Sequence, residues 1–238
     1  MKTENSIRER TYLLNSMPFA KTLIYEGKLE KGVLKLSCGT SNKNRFLLET
    51  FKPEIQVMDV KVPIKGEISN FDEQLMNFLK EEQERQILEL ISQSNCVDKK
   101  QYHIINSDDV VEGANRIDEI FSEPKVIYIH PKQTLQIENV AGFLPIEKYS
   151  ILDSIKVNGA IGTIGSCQVV KSENVLKESN FYLNPMIKWE FPEDEQEMPA
   201  VTILIEIIKR DVEENVVTVN YEIGITNATK ILTVKFHK

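Results

Sequence analysis

Cysteine, histidine and tryptophan are scarce in this chain, and their scarcity excludes several kinds of site. The 238 residues include three cysteines, three histidines and one tryptophan. Cys38, Cys96 and Cys167 are scattered, with neither CxxC nor CxxH spacing. The sequence therefore predicts no disulfide framework and no structural zinc site. We expect three small, partly buried thiols in a reducing compartment.

Long apolar runs and concentrated positive charge are also missing. The longest apolar stretch, residues 200–208, is interrupted by Thr202 and Glu206, whereas a membrane span needs about 20 apolar residues. The N-terminus has basic residues but no apolar segment, so no secretory signal is expected. The net charge is -7 and no Lys/Arg run exceeds two residues. This pattern does not favour a protein that grips nucleic acid through its phosphates.

The rest of the composition is that of an ordinary globular protein. Hydrophobic residues make up 41% and charged residues 27% of the chain. A chain of this length forms one large domain or two small ones with a substantial core.

Hydrophobic periodicity in the first half of the chain predicts mainly strands, followed by one long helix. Residues 6–15 are interpreted as a brief helix or a mobile arm. Turn residues such as Gly27, Gly32 and Gly39 separate extended stretches, so residues 21–52 predict a long β-hairpin. The predicted strands are residues 22–25, 33–37, 45–51 and 55–62. A helix is predicted at about 71–92, with Asn70 and Glu73 as a capping box. Its polar middle, residues 80–86, is expected to be solvated or matched by a partner subunit.

The second half predicts a small α/β region and then a β-meander. A strand is expected at 102–105, a helix capped by Ser107 at 107–121, and a strand at 125–129. A helix beginning at Pro131 is predicted over 132–140, with a weaker helix at 146–154. Alternating apolar residues over 201–208, 217–223 and 231–236 predict the three strands of the meander.

The glycine-rich segment Gly159, Gly162 and Gly165 invites comparison with phosphate-binding loops. Its GxxGxxG spacing matches neither the dinucleotide fingerprint nor the phosphate loop of nucleotide hydrolases. Residues 167–170 after it predict a strand, so no helix N-terminus is available to an anion. We expect close turns leading into that strand.

Other polar residues fit structural roles better than chemical ones. His130 follows a predicted strand, where site residues often lie, but no second ligand or base accompanies it, so we expect a hydrogen bond near the strand end. Asp108–Asp109 and residues 193–195 lack a calcium-loop pattern, and helix capping and a solvated loop account for them. Ser37, Ser166 and Ser172 lack the nucleophile elbow. No catalytic, cofactor-binding or metal-ligating residue is assigned, and no enzyme is predicted.

The order of these elements resembles the HK97-like capsid fold of tailed-bacteriophage major capsid proteins. The resemblance rests on Val126-Ile-Tyr-Ile-His-Pro131, on Gly159-Ala-Ile-Gly-Thr-Ile-Gly165 leading into Val169-Val-Lys-Ser172, and on the closing strands, residues 206–211 and 221–227. It implies an α+β fold with an N-terminal arm (1–21), an extended hairpin loop (22–52), a peripheral domain with a long spine helix (53–98 and 181–238), and a small axial α/β domain (99–180).

The resemblance also implies a function and a location. A family member self-assembles into the hexamers and pentamers of an icosahedral head that encloses double-stranded DNA without sequence-specific binding. Scaffolding, portal and decoration proteins are implied partners, no membrane partner or cofactor is expected, and the location is the virion capsid, assembled in the host bacterial cytoplasm. Two alternatives stay open: an encapsulin-like nanocompartment shell with protein cargo, and a monomeric α/β ligand-binding or enzymatic domain near His130.

Overall fold

The chain folds into two compact units, each with its own β-sheet. The computed structural model describes residues 7–10, 17, 19–26, 51–65, 71–93, 97–100, 105–117, 125–148, 159–165, 167–176, 179–183 and 199–236. The first unit comprises residues 1–14, 20–83 and 190–226, and the second comprises 15–19, 84–189 and 227–238. Two sheets with few helices confirm the predicted α+β class.

The first unit contains a five-stranded sheet in the order β1-β2-β10-β11-β3. Its strands are β1 (Ile7–Arg10), β2 (Ala20–Glu26), β3 (Ile55–Pro63), β10 (Val201–Asp211) and β11 (Val216–Ile225). Strand β2 runs parallel to β10, and the other neighbours are antiparallel. The alternating apolar residues of β10 and β11 form one buried face, including Ile203, Ile205, Val219 and Ile223. Both predicted strands are confirmed, and burial alternates with period two along β11.

The second unit contains a seven-stranded mixed sheet in the order β4-β12-β9-β5-β8-β7-β6. Its strands are β4 (Val97–Lys100), β5 (Lys125–Ile129), β6 (Phe143–Pro145), β7 (Ala160–Ile164), β8 (Cys167–Lys171), β9 (Ser179–Leu183) and β12 (Ile231–Phe236). All five residues of β5 are buried, as in a strand covered on both faces.

Three helices accompany these strands among the described residues: α1 (Phe71–Gln93), α2 (Ser107–Ile117) and α3 (Thr134–Glu138). Short 3-10 turns occur at Pro131–Gln133, Ile146–Lys148 and Ala228–Lys230. No described helix is both long enough and apolar enough to cross a bilayer.

Helices cover both faces of the second sheet. On one face, α2 and α3 contribute Val110, Ala114 and Ile137 to an apolar cluster that contains Ile127 and Val169 of the sheet. On the other face, Thr233 Oγ1 of β12 donates a hydrogen bond of 3.2 Å to the Ile91 carbonyl of α1. The ring of Tyr128 meets Phe19 edge-on, with centroids 5.9 Å apart. This layering explains why β5 is a continuous apolar run.

Two predictions of secondary structure are wrong. Residues 7–10 form strand β1, paired with β2, and not a helix. The third strand of the expected meander, β12, pairs with β9 and β4 in the second sheet instead of with β11, because alternation specifies a strand and not its partner. Of the strand expected at 102–105, residues 102–104 lie outside the described residues, and Ile105 is a buried residue just before α2.

The polar middle of α1 is also not simply solvated. Gln83, Glu84 and Gln86 are buried, at 0%, 7% and 9% exposure, while Glu81, Glu82 and Arg85 are exposed. Hydrogen bonding allows a polar side chain to be buried without a large penalty, and Glu84 accepts such a bond from Ser172. Phe78, an apolar residue of the same helix, is by contrast 49% exposed.

Several predictions fall on parts of the chain outside the described residues. These are the strands at 33–37 and 45–50, the cap residue Asn70, residues 118–121 of the predicted helix, residues 149–154 and the acidic stretch 193–195. The helix at 71–92 and the strand at 55–62 are confirmed. The helix predicted at 132–140 is a 3-10 turn followed by α3, ending at Glu138.

Candidate functional site

His130 lies directly after β5 and caps the 3-10 turn that follows. Its Nδ1 accepts a hydrogen bond of 3.1 Å from the Lys132 amide, and its own amide donates to Gln133 Oε1 at 3.1 Å. Pro131 has no amide hydrogen and suits the first position of the turn. The expected hydrogen bond near the strand end is confirmed, and it engages the ring nitrogen that faces the turn.

Ser172 lies beside His130 at the same edge of the sheet. Strands β5 and β8 are parallel neighbours with Ile129 opposite Lys171, so the residues that follow them emerge together. The Ser172 amide donates to the Ile129 carbonyl at 3.0 Å. Its hydroxyl donates to Glu84 Oε1 of α1 at 2.6 Å, in a buried position. Sequence spacing gave no sign that these residues would meet, since Glu84 and Ser172 are 88 positions apart.

At the sheet edge that contains His130, Ser172 and Glu84, hydrogen bonds connect β5, β8 and α1. The serine hydroxyl points to the buried carboxylate, and it also accepts from the Asn174 amide at 3.2 Å. In the Ser–His arrangement of nucleophilic serines, the hydroxyl instead donates to an imidazole. The hydrogen bonds of His130 described above are with its own turn. The geometry is that of a structural hydrogen-bond network at the ends of β5 and β8.

The glycine segment is itself a strand, which corrects the expectation of turns alone. Ala160–Ile164 forms β7, paired with β6 and β8. Gly159 and Gly165 flank it with φ of 82° and 56°, a left-handed backbone that glycine adopts without penalty. Gly162 faces Pro145, and a side chain there would collide with the Phe143 ring and the Leu144 carbonyl. Each glycine therefore serves the hairpin.

The acidic pair Asp108–Asp109 belongs to a helix cap, but the cap residue differs from the predicted Ser107. Asn106 Oδ1 accepts from the Asp109 amide at 2.9 Å, and Asp109 Oδ2 accepts from the Asn106 amide at 3.2 Å. This reciprocal pair is a capping box. Within the described residues no group of His, Cys, Asp or Glu is arranged to hold a metal ion. Cys167 is buried in β8, and Cys38 and Cys96 lie outside the described residues.

A surface groove that sequence reasoning missed lies on the outward face of the first sheet. It has a volume of about 340 Å³ and is lined by residues of β2, β3, β10 and β11. Strand β10 is buried on both faces from Val201 to Ile205, and exposure begins at Glu206. Cross-strand register places Tyr25 opposite Glu206, and Glu206 opposite Asn220. Glu222 lies two residues farther along β11.

Two bulges place apolar side chains on the rim of this groove. The β10–β11 register shifts between Ile207 and Lys209, so Ile208 is the extra residue. The β3–β11 register shifts at the same level, where Met58 and Asp59 stand opposite Asn220. Asp59 has a φ of 53°, and its amide donates to Asn220 Oδ1 at 2.7 Å. Met58 and Ile208 are 70% and 46% exposed.

The groove is electrostatically acidic and partly desolvated. Burial raises the pKa of the Glu222 carboxyl. Burial, reinforced by the Glu206 and Glu222 carboxylates, raises the pKa of the Tyr25 phenol well above its ordinary value. Tyr25 is thus a neutral hydroxyl beside two carboxyl groups. The alternation of Glu206 and Glu222 with apolar residues was visible in the sequence, but the bulges that shape the groove were not.

Comparisons with known proteins assign no family. No protein-family model matches the sequence, and no curated protein matches it. Similar solved structures include a virus-like particle from Pyrococcus furiosus, 11% identical over 77% of each chain with a TM-score of 0.42. A SrpI encapsulin complex from Synechococcus elongatus is 13% identical over 77% of this chain and 76% of that chain, with a TM-score of 0.40.

A phage-related protein from Bordetella bronchiseptica is also similar. It is 10% identical over 76% of this chain and 74% of that chain, with a TM-score of 0.39. At these identities and TM-scores, the similarities establish neither a family nor a function for this chain.

Proposed function

We propose that this chain is a shell subunit, the major capsid protein of a tailed bacteriophage or prophage. In this proposal it assembles into the hexamers and pentamers of an icosahedral head around double-stranded DNA. One observation carries the proposal: the two central segments that resemble capsid proteins lie next to each other in the second sheet. The strand that ends at His130-Pro131 and the glycine-flanked hairpin are adjacent, with β5 parallel to β8 and β8 antiparallel to β7.

The residues of these segments have structural roles, as expected for a shell subunit. His130 caps a turn, Pro131 begins it, and Gly162 makes room for the Phe143 ring. The function of a shell subunit is geometric: many copies pack through heterologous contacts, and a rotation that closes produces rings. Catalytic chemistry is not required of any residue in this proposal.

The proposal assigns a role to each part of the chain. Residues 1–21 are the N-terminal arm, 22–52 the extended loop, and 53–98 with 181–238 the peripheral domain, in which α1 is the spine helix. Residues 99–180 are the axial domain. An extended loop laid over a neighbouring subunit buries apolar surface that the free subunit would expose. Scaffolding, portal and decoration proteins complete the head, which assembles in the host bacterial cytoplasm.

Electron microscopy of the recombinant protein tests this proposal. We expect closed shells or capsomer-sized rings, alone or after co-expression with the other structural proteins of the head. Nucleic acid inside the shells supports a virus head, whereas co-purifying protein cargo supports a nanocompartment. A monodisperse monomer under all of these conditions contradicts both.

A matched variant separates a shell from a ligand-binding domain. His130→Asn keeps a side chain that can cap the turn, so it should leave assembly unchanged. Loss of a small-molecule activity in this variant, with the fold intact by circular dichroism, would instead favour a monomeric enzymatic domain.

A further inference from the structure

The outward face of the first sheet carries opposite charges on either side of its two bulges. On one side lie Glu206 and Glu222, with the hydrogen-bonding side chains of Gln56 and Tyr25 beside them. On the other side, Lys209 of β10 and Lys61 of β3 both stand opposite Thr218 of β11. Residues directly opposite each other in a sheet share a face, so the two lysines form one row.

Both lysines are available at the surface. The Lys209 side chain is 68% exposed, although its ammonium lies 2.8 Å from Asp211 Oδ2. An ammonium has three donors, so this ion pair leaves Lys209 able to meet a second acceptor. Lys61 is an exposed residue of the edge strand β3.

Between the acidic and basic rows lie the exposed apolar side chains of Met58 and Ile208. The order along the strands is therefore acidic, apolar, basic. Such a pattern is self-complementary under a two-fold rotation, and an isologous interface requires a patch of this kind. The two-fold axis would lie in the interface and cross the strands at the level of the bulges. The strands of the second copy would then run in the opposite direction to those of the first.

We infer that this face, defined by Glu206, Glu222, Met58, Ile208, Lys61 and Lys209, binds the same face of a second copy of this chain. The rotation brings the acidic row of each copy toward the basic row of the other. It also stacks the apolar side chains at the bulges against their counterparts. Charge complementarity selects a second copy as the occupant, because a uniformly basic partner would be repelled by Lys61 and Lys209.

The inference adds a defined two-fold contact to the proposed function, and it requires only a pair of copies. It can hold for a soluble dimer that never closes a shell. The two proposals therefore fail separately.

Complementary charge reversals provide the test. An all-acidic face is made by K61E with K209E, and an all-basic face by E206K with E222K. Each variant alone should self-associate roughly tenfold or more weakly than the parent chain, because like charges oppose one another across the contact. An equimolar mixture should recover association as a heterodimer. Sedimentation velocity measures the species, and circular dichroism checks that each variant is folded.

Two further variants test whether the loss of any exposed apolar side chain weakens association. Met58 and Leu135 are both 70% exposed in the single chain, but only Met58 lies on the proposed face. Met58→Asp should weaken association, and Leu135→Asp should leave it unchanged.

The outcomes separate the two proposals. The inference is overturned if the all-acidic and all-basic variants do not associate when mixed, or if each associates as well alone as the parent chain. Intact shells in both variants, with no heterodimer preference, would leave the shell proposal standing without this contact. A preferred heterodimer in a protein that forms no shells would support this contact and contradict the shell.

Discussion

At the scale of single residues, Glu222 shows how burial on a sheet surface affects stability. Burial raises the pKa of its carboxyl in the folded chain, whereas the unfolded chain has the ordinary value of about 4.3. The folded state therefore holds this proton more tightly, and ionisation opposes folding. The penalty is absent below the ordinary pKa, grows as the pH rises through the folded-state pKa, and is complete above it.

The variant Glu222→Gln removes this penalty with little change of shape. We expect it to be more stable than the parent chain at neutral pH, and we expect the difference to vanish as the pH falls below about 4. Urea unfolding at a series of pH values, at concentrations where the protein is monomeric, measures this. Glu213→Gln, at an exposed position of the β10–β11 turn, changes the net charge equally and serves as the control. A stability difference that is independent of pH would contradict the assigned cause.

Single residues also show why chemistry and structure are easily confused in a sequence. His130 follows a strand of an α/β region, which is where catalytic residues often lie, yet its ring nitrogen caps a turn. A capping role was predictable from the following proline. The Ser172–Glu84 hydrogen bond was not predictable, because it joins residues that are distant in the chain.

At the scale of elements, the start of α2 depends on one side chain that the sequence pattern misplaced. Asn106 and Asp109 exchange side-chain to backbone hydrogen bonds, and the Asn106 carbonyl accepts from the Val110 amide at 3.3 Å. Asn106 is therefore the cap, and Ser107 is the first helical residue. Serine and asparagine are both favoured caps, so adjacent candidates cannot be separated by residue type.

Alanine at each position distinguishes the two assignments. We expect Asn106→Ala to destabilise the protein by about 1 kcal/mol, since it removes an acceptor for a helix-terminal amide. Ser107→Ala should change stability by a few tenths of a kcal/mol at most, because alanine has a high helix propensity. The free energy of unfolding in urea measures both. A larger loss at Ser107 than at Asn106 would restore the original prediction.

Strands were predicted more successfully than their partners. The apolar patterns over residues 201–208 and 217–223 correctly indicated β10 and β11, although only β11 has a single buried face along its length. The same signal over 231–236 indicated β12 but not that it belongs to the other sheet. The bulges at Ile208 and Met58 were invisible, since each is a local change of register. The outward groove depends on those bulges, and so it could not be found from the sequence.

At the scale of the whole molecule, each unit is completed by distant parts of the chain. Strand β10 pairs with β2, which lies about 180 residues earlier, and β12 pairs with β4 and β9. Such long-range pairing must overcome a large loop-closure entropy before its contacts form. The last strand is therefore a structural requirement of the second unit, not an appendage.

Removing β12 tests this directly. Its residues Ile231, Thr233 and Val234 are at most 3% exposed, and its loss would leave β4 and β9 without the strand between them. We expect deletion of residues 231–238 to abolish amide-exchange protection in β5, β8 and β9, while β10 and β11 stay protected within the first sheet. Hydrogen exchange with mass spectrometry measures this, and deletion of residues 237–238 alone serves as the control. Native protection of β5 and β8 in the longer deletion would show that the second sheet folds without its closing strand.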